Sequence, residues 1–230
     1  MIVCIYVDDL IFTGNNPNIF EEFKKAMIKE FEMSDIGLMS YYLGIEVKQK
    51  EDGIFISQQR YAKEKLKKFK MDGCKPISTP VECGLKLTMF DGAEKVDATN
   101  FKSLVGSLRY LTCTRPDILY ATGLISRHME NPTITHLKDA KRILRYIKGT
   151  SHLGLWFLSD KDYKLVGYSD SGWAGDGDDR KSTTGFVFFM GNTSFTWMSK
   201  KQPIGESCTS SFTTDAAISK TCILGRGRLP

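Results

Sequence analysis

The sequence predicts an α+β fold, on three observations. Runs rich in Val, Ile, Phe and Tyr open the chain at residues 1–13 and recur at 39–56, and such runs read as strands. Apolar residues then fall at helical spacing through 101–148. Beyond residue 154 the pattern returns to short strands. Strands at both ends with helices between them describe segregated rather than alternating elements.

Taken in order, the first element is a hairpin. Met1-Ile-Val-Cys-Ile-Tyr-Val7 runs into Asp8-Asp9, becomes apolar again through Leu10-Ile-Phe-Thr13, and stops at Gly14-Asn-Asn16. Residues 18–31 predict an amphipathic helix, with Phe20, Phe23, Ile28 and Phe31 on one side and Lys24, Lys25 and Lys29 outside. Residues 39–48 read as a strand, Lys50-Glu-Asp-Gly53 as a turn and 54–56 as its partner strand, on the Asp-Gly signal. Residues 58–69 predict a helix that buries Ala62, Leu66 and Phe69 and turns its lysines out. Pro76, Pro80, Gly84 and Gly92 mark 73–100 as a linker or long loop. Helices follow at 101–112, at 116–129 with Pro116 near its first position, and at 135–148, ended by Gly149. In the last of these, Leu137, Ala140, Ile143, Leu144 and Ile147 face inward. Strands are expected at 155–158, 165–170, 185–190 and 194–199, so a boundary falls near residue 150. Residues 205–230 are polar and unperiodic, and are expected to be poorly ordered.

A chain of 230 residues holds one large domain or two small ones. No apolar run approaches the roughly 18 to 20 residues of a membrane span, and the N-terminus lacks the basic start of a signal peptide. The six cysteines have no C-x-x-C spacing, so reduced thiols and an intracellular setting are expected. Of the three histidines, none at metal-ligand spacing, His128 and His136 are expected on helices and His152 in a turn. Opening directly on a core strand suggests that further chain normally precedes Met1.

Charge distribution says more than the net +5. Arg60, Lys63, Lys65, Lys67, Lys68, Lys70 and Lys75 crowd one segment; Lys138, Lys141, Arg142, Arg145 and Lys148 crowd another. Basic helices are the footprint of a polyphosphate partner. A merely solvated helix face is the competing reading. The adjacent carboxylates Asp8 and Asp9 repel unless a cation sits beside them, and hard oxygen ligands suit Mg²⁺. An ordinary solvated acidic turn is the alternative there.

The order Tyr6-Val7-Asp8-Asp9 inside a strand pair resembles the YxDD metal-binding hairpin of reverse transcriptases. A collinear series extends the likeness to the Pol polyprotein of copia-type LTR retrotransposons over about residues 1–204. It comprises Tyr42-Leu-Gly-Ile-Glu46, Tyr61 with its basic helix, Leu104-Val-Gly-Ser-Leu-Arg-Tyr-Leu111, Thr114-Arg-Pro-Asp-Ile118 and Lys141-Arg-Ile-Leu-Arg-Tyr-Ile-Lys-Gly149. Tyr168-Ser-Asp170, Trp173-Ala-Gly-Asp176, Arg180-Lys-Ser-Thr-Thr-Gly185 and Trp197-Met-Ser-Lys-Lys-Gln-Pro203 continue it.

The resemblance implies a polymerase palm end, primer-grip hairpin and thumb start in 1–72, and linker and thumb or connection helices in 73–150. It implies a partial RNase H-like mixed sheet in 151–204 and a divergent tail in 205–230. Asp8, Asp9 and Asp170 would be catalytic, Mg²⁺-binding carboxylates. Tyr42, Leu43 and Gly44 would grip a primer end, while Lys63, Lys67 and Lys70 would follow the phosphates of an RNA or DNA duplex. The upstream part of the polymerase, with its further Asp, would be the natural partner. Two-metal phosphoryl transfer needs carboxylates from separate strands. Gly172 stands where the family has a second RNase H Asp, and Glu206 and Asp215 are only displaced candidates for its acidic helix. The expectation is a reverse-transcriptase fragment that is catalytically silent alone. The competing expectation is a non-enzymatic protein that holds nucleic acid weakly on basic helices.

Overall fold

A computed structural model describes residues 1–159, 164–172 and 175–203, and the backbone of Ala216–Ala217 and Leu224–Arg228. The expected hairpin is β1 (Ile2–Tyr6) against β2 (Asp9–Thr13), with Tyr6 opposite Asp9 and a two-residue Val7-Asp8 loop between them. Asn16 then caps α1 (Pro17–Glu30), its Oδ1 accepting from Asn18 N at 3.0 Å, with Pro17 in the first turn where a missing N–H costs nothing.

The 39–48 segment, expected as one strand, is instead broken. β3 (Tyr41–Tyr42) turns at Leu43-Gly44 into β4 (Ile45–Lys50), which pairs through the expected Asp-Gly turn with β5 (Gly53–Ser57). Both loop residues, Leu43 (φ 46°) and Gly44 (φ 84°), are left-handed, the geometry of a two-residue hairpin turn. Leu43 carries no sequence signal for that conformation, which hides the break.

Helix α2 (Gln59–Lys68) buries Ala62 and Leu66 as its spacing predicts. It ends in a Schellman motif: Met71 N donates to Leu66 O at 2.8 Å and Lys70 N to Lys67 O at 3.0 Å. Lys70 takes the left-handed position (φ 54°) that usually belongs to glycine. Lys70→Gly is therefore expected to stabilise the protein by about 1 kcal/mol in urea titration; an unchanged midpoint would contradict this.

After the irregular 73–97 stretch come α3 (Ala98–Leu111), a 3₁₀ turn Pro116–Ile118, α4 (Leu119–Ser126) and α5 (Ile134–Gly149). With α2 they close the main core, in which Phe101, Val105, Leu108, Ile118, Ile143 and Leu144 are at most 1% exposed.

The strand β6 (Gly154–Leu158), expected to open the following sheet, does not. It pairs instead with β5, completing a β3-β4-β5-β6 sheet, so the sheet begun before the helices is closed after them. The last described sheet is the meander β7 (Lys164–Gly172), β8 (Thr183–Met190) and β9 (Thr193–Lys201). Helix α4 packs on β9, and Trp197 Nε1 donates to Thr112 O at 3.0 Å, which joins the meander to the helices. Backbone at β10 (Ala216–Ala217) pairs with β7, and at β11 (Leu224–Arg228) with β2. The rest of the 205–230 tail, including Glu206 and Asp215, lies outside the described residues. Among the described residues no helix is long and apolar enough to cross a membrane, and Cys4, Cys74, Cys83 and Cys113 are free thiols.

Candidate nucleic-acid interface

Two hairpin tips form the site. At the first, Val7 holds φ 49°, a conformation that a β-branched residue adopts only under strain. That turn leaves the Asp8 side chain exposed at the tip and sets Asp9, half-buried, at the start of β2. At the second, Leu43-Gly44 forms the tip beside Tyr42. The tips meet edge to face through Tyr6 and Tyr42, ring centroids 6.4 Å apart.

A third side chain secures this meeting. A Cβ on Gly44 would lie 3.2 Å from the Tyr110 hydroxyl oxygen, so α3 packs directly on the second tip. Tyr110 stacks edge-on with Tyr61 of α2, centroids 4.8 Å apart. Burial, with Cys113, Tyr61, Tyr41 and Tyr6 nearby, pushes the Tyr110 phenol above its ordinary range. Sequence reading misses Tyr110 as part of this site: it sits in an apolar helical run, and only the fold brings it to Gly44.

The basic helix α2 sorts into used and free cations. Lys65 lies over the Tyr61 ring at 4.3 Å, Lys68 donates to Ser103 Oγ at 2.9 Å, and Arg60 lies 3.8 Å from Glu46. The side chains of Lys63, Lys67 and Lys70 are exposed and, among the described residues, paired with nothing. On α5 the reading as a phosphate face is largely overturned. Arg142 pairs with Glu82 at 2.6 Å, Arg145 Nε donates to Lys75 O at 2.9 Å, and Lys148 Nζ to Cys74 O at 2.5 Å. These three cations clamp the 74–82 loop onto the helix. Lys75, counted in the α2 cluster, supplies its carbonyl to that clamp.

Asp170 stands apart from the tips, exposed on β7 opposite Gly185, its Oδ1 accepting from Ser171 N at 2.8 Å. It borders an open cleft of about 620 Å³ whose far wall is Tyr120, Leu124 and Arg127. Beside that cleft Asp176 is buried between Arg127 (2.9 Å) and Lys201 (2.7 Å). Burial raises the Asp176 carboxyl, but Lys201 and the N–H groups of Asp178 and Asp179 outweigh it and hold it well below the usual range.

The residues present do not complete a metal centre. Among the described residues no three His, Cys, Asp or Glu side chains gather as a metal cage, at Asp8 and Asp9 or at Asp170. Two-metal chemistry needs more carboxylates than the described residues bring together. His128 and His136 do come together, buried and stacked at 4.0 Å, but as a packed pair rather than as ligands.

Residues 1–83 match the family model described as "Reverse transcriptase (RNA-dependent DNA polymerase)". The chain is 40% identical over 198 residues to the retrovirus-related Pol polyprotein from transposon RE1 of Arabidopsis thaliana, covering 86% of this chain and 14% of that protein. It is 36% identical over 225 residues to the corresponding Pol polyprotein from transposon TNT 1-94 of Nicotiana tabacum, covering 94% of this chain and 17% of that one. The chain belongs to the copia-type retrotransposon Pol family.

It is thus a segment of Pol that spans about one seventh of the RE1 polyprotein and about one sixth of the TNT 1-94 polyprotein. The tobacco alignment covers more of the chain than residues 1–204 alone account for, so similarity enters the tail. A protein of like size, the uncharacterized mitochondrial protein AtMg00810 of Arabidopsis thaliana, is 38% identical over 203 residues, covering 88% of this chain and 84% of its own length. No solved structure matches this Pol segment.

Proposed function

We propose that this Pol segment is the primer-engaging part of a reverse transcriptase, which holds nucleic-acid duplex but does not extend a primer on its own. One observation carries the reading: the Asp8–Asp9 tip and the Tyr42–Gly44 tip meet through Tyr6 and Tyr42, with the free lysines of α2 reached through Tyr110 and Tyr61. In this reading residues 1–72 are palm end, primer grip and thumb start. The 73–150 helices brace them, β6 completes the brace, and β7–β9 with Asp170 are a partial RNase H-like sheet. Asp8 and Asp9 would contribute carboxylates to a Mg²⁺ site that other parts of a polymerase complete. Lys63 and Lys67, at i and i+4 on one side of α2, and Lys70, just past its C-terminal end, track duplex phosphates.

Purified protein is expected to bind duplex with micromolar or weaker affinity, falling steeply with salt. Replacing Lys63, Lys67 and Lys70 by Ala should flatten the slope of log affinity against log salt by about 0.9 for each phosphate that is no longer neutralised. No template-dependent extension is expected with Mg²⁺ or Mn²⁺. A salt slope unchanged in the triple variant would overturn the thumb assignment. Extension that disappears in Asp8→Asn would overturn the claim of silence.

A further inference from the structure

We infer a phosphate-binding groove between α3, α4 and β9, separate from the hairpin tips and from both basic segments visible in the sequence. The groove has a volume of about 640 Å³. Arg109, in the last turn of α3, and Lys200, near the end of β9, lie far apart in sequence and line it together. Both are exposed, and among the described residues no carboxylate pairs with either. The neighbouring cations differ: Arg127 and Lys201 are taken by Asp176, and Lys201 also by Asp179 at 2.8 Å. The residues that line the groove include no carboxylate, and Asp176 beside it is neutralised, which leaves Arg109 and Lys200 as the uncompensated charge of its lining.

A second, independent observation points to a ligand with hydrogen-bonding oxygens. Thr122 lines the groove at 2% exposure, and among the described residues its hydroxyl has no partner, a state that usually costs about 1–3 kcal/mol. A phosphate oxygen, or a water that it holds, would supply that partner. The groove also opens beside the Asp170 cleft, since Arg127 and Ser199 border both. Asp170, Gly185 and Ser199 form one cross-strand row, two strand spacings or about 10 Å across. The ligand chemistry is a phosphate group, carried by a single strand or free in solution; the strand source rests on the nucleic-acid reading above.

The test uses the full chain, ¹⁵N-labelled, titrated separately with inorganic phosphate and with a short oligothymidylate. The oligonucleotide is expected to shift the Thr122, Gly123 and Ser199 amides. Arg109→Ala/Lys200→Ala should abolish those shifts, weaken oligonucleotide affinity about tenfold and flatten the salt slope by about 1.4, two phosphates at about 0.7 each. Arg109→Lys/Lys200→Arg should keep the slope, and the Lys63, Lys67, Lys70 triple variant should keep the groove shifts. Saturable groove shifts with inorganic phosphate and none with oligonucleotide would support the phosphate site and assign it to free phosphate. Oligonucleotide binding confined to α2, with the groove amides unmoved by either probe, would overturn this inference alone. Silence at both places would overturn it together with the nucleic-acid reading.

Discussion

Arg115→Ala is expected to lower the unfolding free energy by about 1.5–3 kcal/mol, the range for losing hydrogen bonds to a charged group, since Asp117 is 34% exposed and water reaches it once the guanidinium is gone. The Arg115 side chain is 5% exposed, and each of its nitrogens is engaged within the fold: Nε and Nη2 donate to Asp117 at 2.8 and 2.6 Å, Nη1 to Thr150 O at 2.8 Å and Nη2 to Thr150 Oγ1 at 2.7 Å. One guanidinium thus ties the 3₁₀ turn at Pro116–Ile118 to the C-terminal cap of α5, and its central carbon lies 5.6 Å from the Tyr146 ring centroid. Truncation would leave Asp117 with the Tyr146 hydroxyl (2.8 Å) and its own backbone N–H, and would take from the Thr150 carbonyl one of its two donors, Leu153 N remaining at 3.0 Å. Burial alone would raise the Asp117 carboxyl, but Arg115 and Tyr146 overcome it and hold it below the usual range. A depressed carboxylate contributes stability above its unfolded pKa and loses it as pH falls through the folded one. Urea unfolding at neutral pH should therefore show the large loss, and much of the acid dependence due to Asp117 should go with it. Arg115→Lys should recover only part, because an ammonium cannot reproduce the fork. Exposed Lys67→Ala should stay within about 0.5 kcal/mol of wild type. A loss under about 1 kcal/mol for Arg115→Ala would sink the argument.

The same residue shows what a sequence can and cannot disclose. Thr114-Arg-Pro-Asp117 is visible as a motif, and Pro116 as a helix start, but the Thr150 acceptor lies across the fold. Helices are legible because burial repeats locally: Ala62 and Leu66 on α2, and Ala140, Ile143, Leu144 and Ile147 on α5, follow from spacing alone. The Val7-Asp8 and Asp52-Gly53 turns are legible as breaks in apolar runs. The Leu43-Gly44 turn is not, because a leucine in the left-handed region looks like any strand residue. The pairing of β6 with β5 joins residues about a hundred positions apart, and no local pattern records it. Charge misleads for a related reason. Arg142, Arg145 and Lys148 match free phosphate-binding residues in type and spacing, yet much of what they bind is the oxygens of one neighbouring loop, two of them backbone carbonyls. Conversely, Arg109 and Lys200 look isolated in the sequence, and only the packing of α4 on β9 makes them a pair. The Asp8–Asp9 tip is visible, but the meeting of its Tyr6 with Tyr42, and of Tyr110 with Gly44, depends on which hairpin tip meets which helix.

Acidification from pH 7 to 4 is expected to cost the native state about 3 kcal/mol through His128 alone, at about 1.36 kcal/mol for each pH unit between its unfolded and folded pKa values. The ring is 5% exposed, its Nδ1 has no partner among the described residues, and it stacks at 4.0 Å and 11° on His136. Thr133 N donates to His136 Nδ1 at 3.0 Å, so His136 carries its hydrogen on Nε2 and donates to Thr88 O at 3.1 Å. That geometry caps α5. Burial, followed by His136, lowers the His128 pKa to about 4; Asp178 and Asp176 oppose the shift and Arg127 adds to it. The unfolded chain, with an ordinary histidine near 6.5, then binds the proton more readily than the native one. Stability from this group is complete above about pH 6.5, falls as pH drops toward 4, and levels off below that. His128→Phe retains the stacked ring and removes the titration. The difference in unfolding free energy between wild type and His128→Phe should therefore change by about 3 kcal/mol in favour of the variant between pH 7 and 4. The midpoint of that change should fall between the two pKa values. Chemical denaturation at fixed pH steps measures it directly, and a difference that stays flat across this window would show that the buried ring pair does not set the acid limit of the fold.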